Sequence, residues 1–390
     1  MLLRLFSMIS LLLFSFAANG CQFNGAPRPR LGCYPTATVG TNFLDPEYLG
    51  PHGYNFNWSE KNGIIYTCKA GHIDVAHLRI AADWTAYLAA KSFTCLMKSD
   101  AGFSFKLNAD RSVYYAQITY PENWQDLSQK DQERIARDIS IKLGQYLAFT
   151  TTTWHEIMTW FGYKCMGIFP EFPSAFSWED SFSNLLGTHI AAEALRDSEY
   201  KFEEAMTLAI NQELEKLGVR SRYTAIRAAE NARGVWFAGD LLYLVDMKRR
   251  NFDIGLDDGY VTPTIVPHIS GCEGIQAQSY PVPNLNFLTE YQFSMKLEIE
   301  PREWEKDKIL SIVYPDAKTR KSRLEPVIHL ARIMNYIQED AVTRYGYNIG
   351  EHREAIFPQI ATTEDINGDQ KVNLEDFALV AIQWLDGDKP

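Results

Sequence analysis

The segment TWHEIMTWFG, residues 153–162, begins like the zinc-binding helix of a metalloprotease. That helix carries a second histidine four residues after the first, so that two imidazoles point from one face toward one ion. Thr159 occupies that position here. Because adjacent residues diverge by about 100° on a helix, His155 and Glu156 cannot chelate one ion as a pair. One of them could ligate an ion while the other acts as a base, with the remaining ligands supplied by other segments.

Further acids and histidines occur at spacings that suit a shared helix face. They are Asp74 with His77 at i and i+3 and His189 with Glu193 at i and i+4. A pair at i,i+3 or i,i+4 lets one helix present two ligands, and two or three helices can build a cage of histidines and carboxylates. The sequence therefore offers a metal centre assembled from several helices.

We predict a zinc site in which His77, His155 and His189 ligate the ion and Glu156 acts as the general base. The remaining acids complete the candidate ligand set: Asp74, Glu179, Asp180 and Glu193. In the alternative, the same groups are buried caps and hydrogen-bonded cross-links between helices.

Apolar residues that repeat with helical period indicate the elements that must position these groups. The predicted helices cover residues 73–91, 126–163, 177–197, 199–217, 221–248 and 323–344. β-Branched residues 151–153 predict a break in the second helix. Strands are predicted at 63–68, 252–263 and 290–300, with a hairpin over 103–120. The prediction is an α+β fold that is mainly α, with a helical core and small β-hairpins in one domain, residues 28–355.

Composition limits the classes to which the protein can belong. The chain has 390 residues, of which 46% are hydrophobic and 22% charged, so it can bury a large core. The net charge of −11 argues against nucleic acid as a partner. No apolar run long enough to span a bilayer follows the N-terminal segment, so the mature chain is not expected to be an integral membrane protein.

The N-terminal segment, residues 1–20, has the pattern of an export signal. Arg4 precedes an apolar run, residues 5–16, and small residues lead to Cys21. Cleavage before Cys21 predicts a lipoprotein whose acylated cysteine holds it at the outer membrane or cell surface. Ala18 and Gly20 also suit an ordinary signal peptidase, so free secretion is the alternative.

The six cysteines bear on the same choice. If Cys21 is acylated, five remain and at least one is unpaired, whereas three disulfides could form in a secreted chain without the lipid. No two cysteines have the CxxC spacing, which makes a cysteine-rich zinc site an unfavourable interpretation.

The segment 361–390 carries the ligand spacing of a calcium-binding loop followed by a helix, as in an EF-hand. Side-chain oxygens at loop positions 1, 3, 5 and 12 and the backbone carbonyl at position 7 come from Asp365, Asn367, Asp369, Asp376 and Lys371. Gln370 stands where the sharp turn of such a loop favours glycine. The stretch resembles a single dockerin repeat, which implies calcium as the ion and a cohesin-like protein or a polysaccharide as partner. The alternative is an acidic, solvated tail.

Four segments together resemble a family of bacterial exported proteins, domain of unknown function 4056. They are LGPHGY at 49–54, YTCKAGHIDVAHLR at 66–79, WHE at 154–156 and EDSFSNLLG at 179–187. The resemblance covers residues 28–355 and implies that the His77, His155 and Glu179–Asp180 segments form one constellation. It implies no particular reaction.

The sequence thus favours an exported lipoprotein that acts as a metal-assisted hydrolase on an envelope or extracellular substrate. The alternative from another class is a non-catalytic envelope or carbohydrate-associated binding protein that uses an aromatic surface. Stoichiometric zinc in the purified protein separates the two.

Overall fold

The computed structural model describes residues 23, 25–107, 110–165, 169–241 and 244–345. The chain divides into two compact units, Met1–Glu351 and His352–Pro390, and the described residues all belong to the first. The helices are α1 (Val75–Lys98), α2 (Gln129–Trp160), α3 (Asp180–Arg196), α4 (Phe202–Lys216), α5 (Arg222–Ala232), α6 (Lys306–Val313) and α7 (Pro326–Tyr345). The predicted α+β fold with a mainly helical core is confirmed.

The strands form small antiparallel sheets around these helices. They are β1 (Ile64–Thr67), β2 (Gly71–Asp74), β3 (Gly102–Phe105), β4 (Val113–Thr119), β5 (Lys164–Cys165), β6 (Phe169–Pro170), β7 (Val219–Arg220), β8 (Phe237–Ala238), β9 (Asp246–Met247), β10 (Tyr260–Val261), β11 (Tyr280–Pro281) and β12 (Ser294–Glu300). The three-stranded sheets have the orders β2-β1-β7 and β12-β4-β3, and the remaining strands pair as two-stranded ribbons. The predicted hairpin is β3–β4, with Phe105 opposite Tyr114.

Helix α1 packs against both α2 and α3, and two glycines permit these close approaches. A Cβ atom at Gly144 would lie 2.5 Å from the carbonyl oxygen of Thr85, and one at Gly187 would overlap the carbonyl oxygen of Leu78. Most buried apolar residues of the three helices belong to one large core cluster, which includes Leu78, Trp154 and Leu186, while Leu96 of α1 and Ile139 of α2 belong to a second, smaller cluster. Three helices in direct contact can therefore bring their polar side chains to one place.

Three predictions about the extent of elements were wrong, two of them for an identifiable reason. Helix α2 continues through the threonines, because the hydroxyls of Thr151 and Thr152 donate to the carbonyl oxygen of Ala148 and all three side chains at 151–153 are buried. Helix α5 ends at Ala232 and not at 248, since Gly234 adopts a φ of 78° and the chain turns into β8 and β9. The predicted strand at 252–263 is reduced to β10.

A disulfide joins Cys68 to Cys272 across 204 residues of sequence. Among the cysteines whose side chains the structure describes, Cys33 and Cys95 are free thiols. Within the described part of the chain, no helix is both long and apolar enough to cross a bilayer.

A buried ion network holds the segment between Phe23 and Asn62 against α1. Arg30 lies 2.8 Å from Glu60 and 2.6 Å from Asp83, and His52 Nε2 lies 2.8 Å from the other carboxylate oxygen of Asp83. Arg28 also pairs with Glu60. The side chains of Arg30, Glu60, Asp83 and His52 have no exposed surface. We call these four groups and Arg28 the Glu60 network.

Replacing Gly187 with valine is expected to lower the free energy of unfolding by about 1–3 kcal/mol, because the added side chain forces α3 away from α1. Urea denaturation of the purified variant measures this change. Gly25→Ala is the control, because a Cβ atom there meets nothing within 4 Å. An unchanged midpoint for Gly187→Val would mean that α1 and α3 are not packed this closely.

Candidate functional site

The candidate site lies where three helices bring their polar side chains together. The β1–β2 hairpin places Asp74 at the N-cap of α1, where its side chain accepts a hydrogen bond of 2.7 Å from the backbone N–H of Ala76. His77 follows in the first turn of α1. Glu156 lies in the last turns of α2, and Asp180 is the first residue of α3. Each helix therefore contributes a terminal turn to the site.

His77, Glu156 and Asp180 form a compact group of donor atoms. One nitrogen or carboxylate oxygen from each lies within 4.8 Å of the other two. Within the described residues, this is the group of histidines, cysteines and acids whose spacing could hold a metal ion. Glu156 is 5% exposed and Asp180 1% exposed, so both carboxylates lie largely away from water. A nitrogen and two oxygens at this spacing suit a divalent cation such as zinc.

Two carboxylates face the same nitrogen of His77. Nδ1 of His77 lies 2.8 Å from Asp74 and 3.4 Å from Asp180. Burial opposes a charge on the imidazole, but the negative charges of Asp180 and Asp74 outweigh burial and raise the pKa of His77 well above 6.5. The imidazole therefore retains its proton at neutral pH, held between the two acids.

Glu156 is fixed by a backbone group in an uncommon conformation. The N–H of Phe176 donates to Glu156 Oε2 at 2.9 Å. Phe176 has a φ of 53°, in the left-handed region that costs a residue with a side chain about 1–2 kcal/mol. Strain of this kind is concentrated at functional sites. Here the strained residue is the one whose N–H holds Oε2 of Glu156. Oε1 of Glu156 takes no part in that hydrogen bond.

Ser177 connects the two acids at the start of α3. Its hydroxyl lies 2.7 Å from Glu179 and 3.0 Å from Asp180, although it carries only one proton. Burial and the neighbouring charge of Asp180 raise the pKa of Glu179 well above 4.5. Burial, together with the charges of Glu156 and Asp74, raises the pKa of Asp180 to about 8 against the opposing effect of His77. The single Ser177 hydroxyl between the two acids and their raised pKa values both indicate that Glu179 and Asp180 hold at least one proton between them at neutral pH.

One oxygen of each acid lacks a hydrogen bond from the described residues. Oε2 of Glu179 and Oδ1 of Asp180 are both buried, and Oδ1 of Asp180 lies 3.4 Å from Nδ1 of His77 as an ion pair. Leaving a buried polar oxygen without a hydrogen bond is unfavourable by about 1–3 kcal/mol. We therefore expect Oε2 of Glu179 to have a partner in the working protein.

Solvent reaches the site from the side of His77, whose side chain is 24% exposed. The segment Gly32–Cys33 lies over Asp74 here. The N–H of Cys33 donates to Asp74 at 3.0 Å, and a Cβ atom at Gly32 would lie 2.6 Å from the same oxygen and 2.9 Å from Cε1 of His77. Glycine at position 32 therefore allows the backbone to approach the site closely.

The structure places His155 outside the group. Its Nε2 lies 3.5 Å from Glu171, and its ring packs edge-on against Tyr163. Burial lowers the pKa of His155, but Glu171, with a further contribution from Glu156, raises it to about 9. His155 is thus engaged with a different acid from those that surround His77.

His189 and Glu193 also lie apart from the group. Nε2 of His189 lies 2.8 Å from the carbonyl oxygen of Pro281, and burial lowers the pKa of this histidine. Glu193 is exposed. Of the predicted ligands, His77 and Asp180 lie together in the structure, and the predicted base Glu156 completes the group. Asp74 lies next to His77, and Glu179 lies next to Asp180.

Sequence reasoning did not identify three groups that shape the site. They are the N–H of Phe176, the hydroxyl of Ser177 in its contact with two acids, and the close backbone at Gly32. Ser177 preceding an acid by three residues indicates a helix start, but the sequence carries no signal for the other two. Cys21 and the predicted calcium ligands Asp365, Asn367, Asp369, Lys371 and Asp376 lie outside the described residues.

The chain matches one family model, described as "Protein of unknown function (DUF4056)", over residues 34–242. The matched segment is just over half of the chain and contains Asp74, His77, Glu156, Glu179 and Asp180. It is shorter than the span of 28–355 expected from the sequence. No curated protein and no solved structure matches the chain.

Proposed function

We propose that this chain, which belongs to the DUF4056 family of proteins of unknown function, is a metal-dependent hydrolase of an envelope or extracellular substrate. The observation that carries the proposal is the group of His77, Glu156 and Asp180, whose donor atoms come from three helices and lie within 4.8 Å of one another, with both acids buried and His77 partly exposed.

A divalent cation would resolve the electrostatics of this site. The carboxylates of Asp74, Glu156 and Asp180 act on the imidazole of His77, and Glu179 lies beside Asp180, all in a region of low water access. Charges in such a place are stable only when paired, protonated or bound to a metal. We propose that His77, Glu156 and Asp180 ligate the ion, and that Asp74 orients the imidazole as an outer partner.

Hydrolysis is the chemistry that this ligand set suits best. Three protein ligands are typical of catalytic zinc sites, which keep a further position for water or substrate. When bound, such an ion supplies Lewis-acid polarisation of a carbonyl or phosphoryl oxygen. Glu179 is the proposed proton-transfer group because its raised pKa keeps a proton available near neutral pH. Glu179 would therefore act as a general acid, and Glu156, which the sequence placed as the general base, becomes a proposed ligand of the ion.

Metal analysis of the mature protein, purified without chelators and incubated with zinc, tests the proposal. We expect about one zinc ion per chain, and we expect His77→Ala and Asp180→Asn to lower zinc affinity at least a hundredfold, because each removes a direct ligand. His155→Ala is the matched control, a histidine outside the group that should leave zinc binding unchanged. If His155→Ala loses zinc as His77→Ala does, the original three-histidine prediction is favoured.

Hydrolysis is tested on ester, amide and phosphoester substrates with the same variants. Turnover that disappears in His77→Ala and with chelator, and that falls in Glu179→Gln while zinc stays bound, supports the proposed roles. Zinc binding without metal-dependent turnover contradicts the hydrolase and leaves the second candidate.

The second candidate is a non-catalytic binding protein of the envelope. It is favoured by large aromatic side chains at the surface, namely Phe56, Trp58 and Trp304, whose exposed fractions are 66%, 84% and 89%. Carbohydrate rings and lipid interfaces are the partners that exposed aromatics commonly contact.

Export, lipid anchoring and calcium binding enter the proposal from the sequence. The disulfide between Cys68 and Cys272 supports an oxidising compartment, as expected of an exported chain. We propose that Cys21 carries the lipid, and that segment 361–390 binds calcium and docks on a cohesin-like protein or a polysaccharide.

A further inference from the structure

We infer that Phe56 and Trp58 contact the surface of the lipid bilayer and fix the orientation of the domain on the membrane. This inference rests on the proposed lipid anchor at Cys21. Phe56 and Trp58 would form a second membrane contact in addition to the lipid. Neither residue belongs to the metal-site group.

The chain enters the described domain close to these two aromatic residues. Phe23 is 4% exposed and packs edge-on against Tyr54 and Phe202, with both ring centroids 5.0 Å away. The hydroxyl of Tyr54 donates to the carbonyl oxygen of Gly25 at 2.6 Å. Gly25 and Phe56 line the same surface cavity, which has a volume of about 390 Å³. The start of the domain therefore lies beside Phe56.

Covalent geometry limits how far the anchor can be from this face. Cys21 precedes Phe23 by two residues, so their Cα atoms are at most about 7 Å apart. A cysteine acylated at position 21 therefore holds Phe23 within the headgroup region. Because Phe23 is buried in the domain, the surface next to it must also lie at the bilayer.

That surface exposes the two residues suited to a lipid interface. Phe56 and Trp58 stack edge to face with centroids 4.6 Å apart, and most of each side chain is exposed. Tryptophan is enriched at membrane interfaces because its ring is apolar while its indole N–H remains hydrated. Exposed apolar pairs are unfavourable in water, which indicates that a partner covers them.

The loop that carries the pair is held in place at both ends. The N–H of Tyr54 donates to Glu203 at 2.9 Å, and the N–H of Gly53 donates to Glu60 at 3.0 Å. On the other side, the N–H of Lys61 donates to the carbonyl oxygen of Leu49 at 2.9 Å. A loop ordered before binding loses little conformational entropy when it contacts the bilayer.

Quenching of tryptophan fluorescence by brominated lipid tests the inference. The vesicles contain phosphatidylethanolamine, phosphatidylglycerol, brominated phosphatidylcholine and a nickel-chelating lipid. The protein is used in two forms, the lipidated chain from membranes and a chain starting at residue 22 that is tethered through an N-terminal hexahistidine tag. We expect Trp58→Ser to lose most of the vesicle-dependent quenching in both forms. Trp304→Ser, the control at a similarly exposed tryptophan, should keep it.

Equal quenching of wild type and Trp58→Ser in the tethered form would overturn the inference. So would a Trp58-dependent response to a soluble oligosaccharide, or a Trp58-dependent dimer in sedimentation, without quenching by vesicles. The anchor is tested separately by mass spectrometry of the mature N-terminus. An unmodified Cys21 would refute the proposed lipid anchor. Quenching of the tethered chain would then be the test of whether Phe56 and Trp58 contact the bilayer.

Discussion

Replacing Glu60 with glutamine is expected to lower the free energy of unfolding by about 3–5 kcal/mol. The change removes the carboxylate that faces Arg30 and Arg28 while keeping nearly the same shape. Among the described acids Arg30 then keeps Asp83 alone, and Arg28 loses the carboxylate with which it pairs; the penalty for breaking a buried ion pair is about this large. The hydrogen bonds and charge of Arg30 outweigh the effect of burial and hold the pKa of Glu60 below its ordinary value. The carboxylate is therefore ionised in the folded protein at neutral pH.

Urea denaturation of the mature chain measures this loss, and Glu230→Gln is the matched control. Glu230 pairs with Arg233 at 3.0 Å, but its side chain is 46% exposed, so the same substitution should change stability by less than about 1 kcal/mol. Equal effects at the two positions would contradict the description of the Glu60 network. Because the folded pKa of Glu60 is lowered, its contribution is present above pH 4.5 and is lost as the pH falls.

The Glu60 network also links the two proposals. Glu60 accepts the N–H of Gly53 at the base of the loop that carries Phe56 and Trp58, and Asp83 lies on α1, which also carries His77. A variant that breaks the network should therefore loosen the aromatic loop and the first turns of α1 together. For this reason the tests of zinc binding and of membrane contact use substitutions outside the network.

Local patterns predicted the helices and one pair of site residues. The spacing of Asp74 and His77 places both on one face of the first turn of α1, and the structure shows their side chains 2.8 Å apart. Glu179 and Asp180 were predicted as site residues from the resemblance to the family, and both are buried at the start of α3. Relations within one helical turn depend on backbone geometry, which is the same in every α-helix.

The other two histidines show where such patterns fail. His189 is nine residues after Asp180 on the same helix, which is two and a half turns, so it lies about 13 Å along the axis on the opposite face. His155 diverges from Glu156 by about 100°, so only one of them can face a given point. Which of them faces His77 depends on how α2 rotates against α1, and the close approach of the two helices at Gly144 is one of the contacts between them. Long-range packing leaves no local signal in the sequence.

Zinc affinity is expected to rise roughly a thousandfold or more between pH 6 and pH 8, because binding releases two protons. One proton leaves the His77 imidazolium, which keeps its other proton on the nitrogen that faces Asp74, and one leaves Asp180, whose pKa is about 8. Each displaced proton makes the binding constant rise about tenfold per pH unit below the pKa of the group that releases it. Calorimetry in buffers of different ionisation enthalpy measures the affinity and the number of protons released.

The same shifts set the sign of the pH dependence of stability without zinc. The folded pKa of Asp180 is raised above 3.8 and that of His77 above 6.5, so folding favours the protonated forms. The stability that these groups contribute is therefore lost as the pH rises, for Asp180 between 3.8 and about 8. We expect the melting temperature in chelator to be lower at pH 8 than at pH 6, and zinc to reverse this order.

His155→Gln is the control for the zinc-affinity measurement. It removes a histidine whose pKa is about 9 but which lies outside the group, so it should leave the pH dependence of zinc affinity unchanged. A pH-independent affinity with no proton release would show that zinc does not bind at His77 and Asp180.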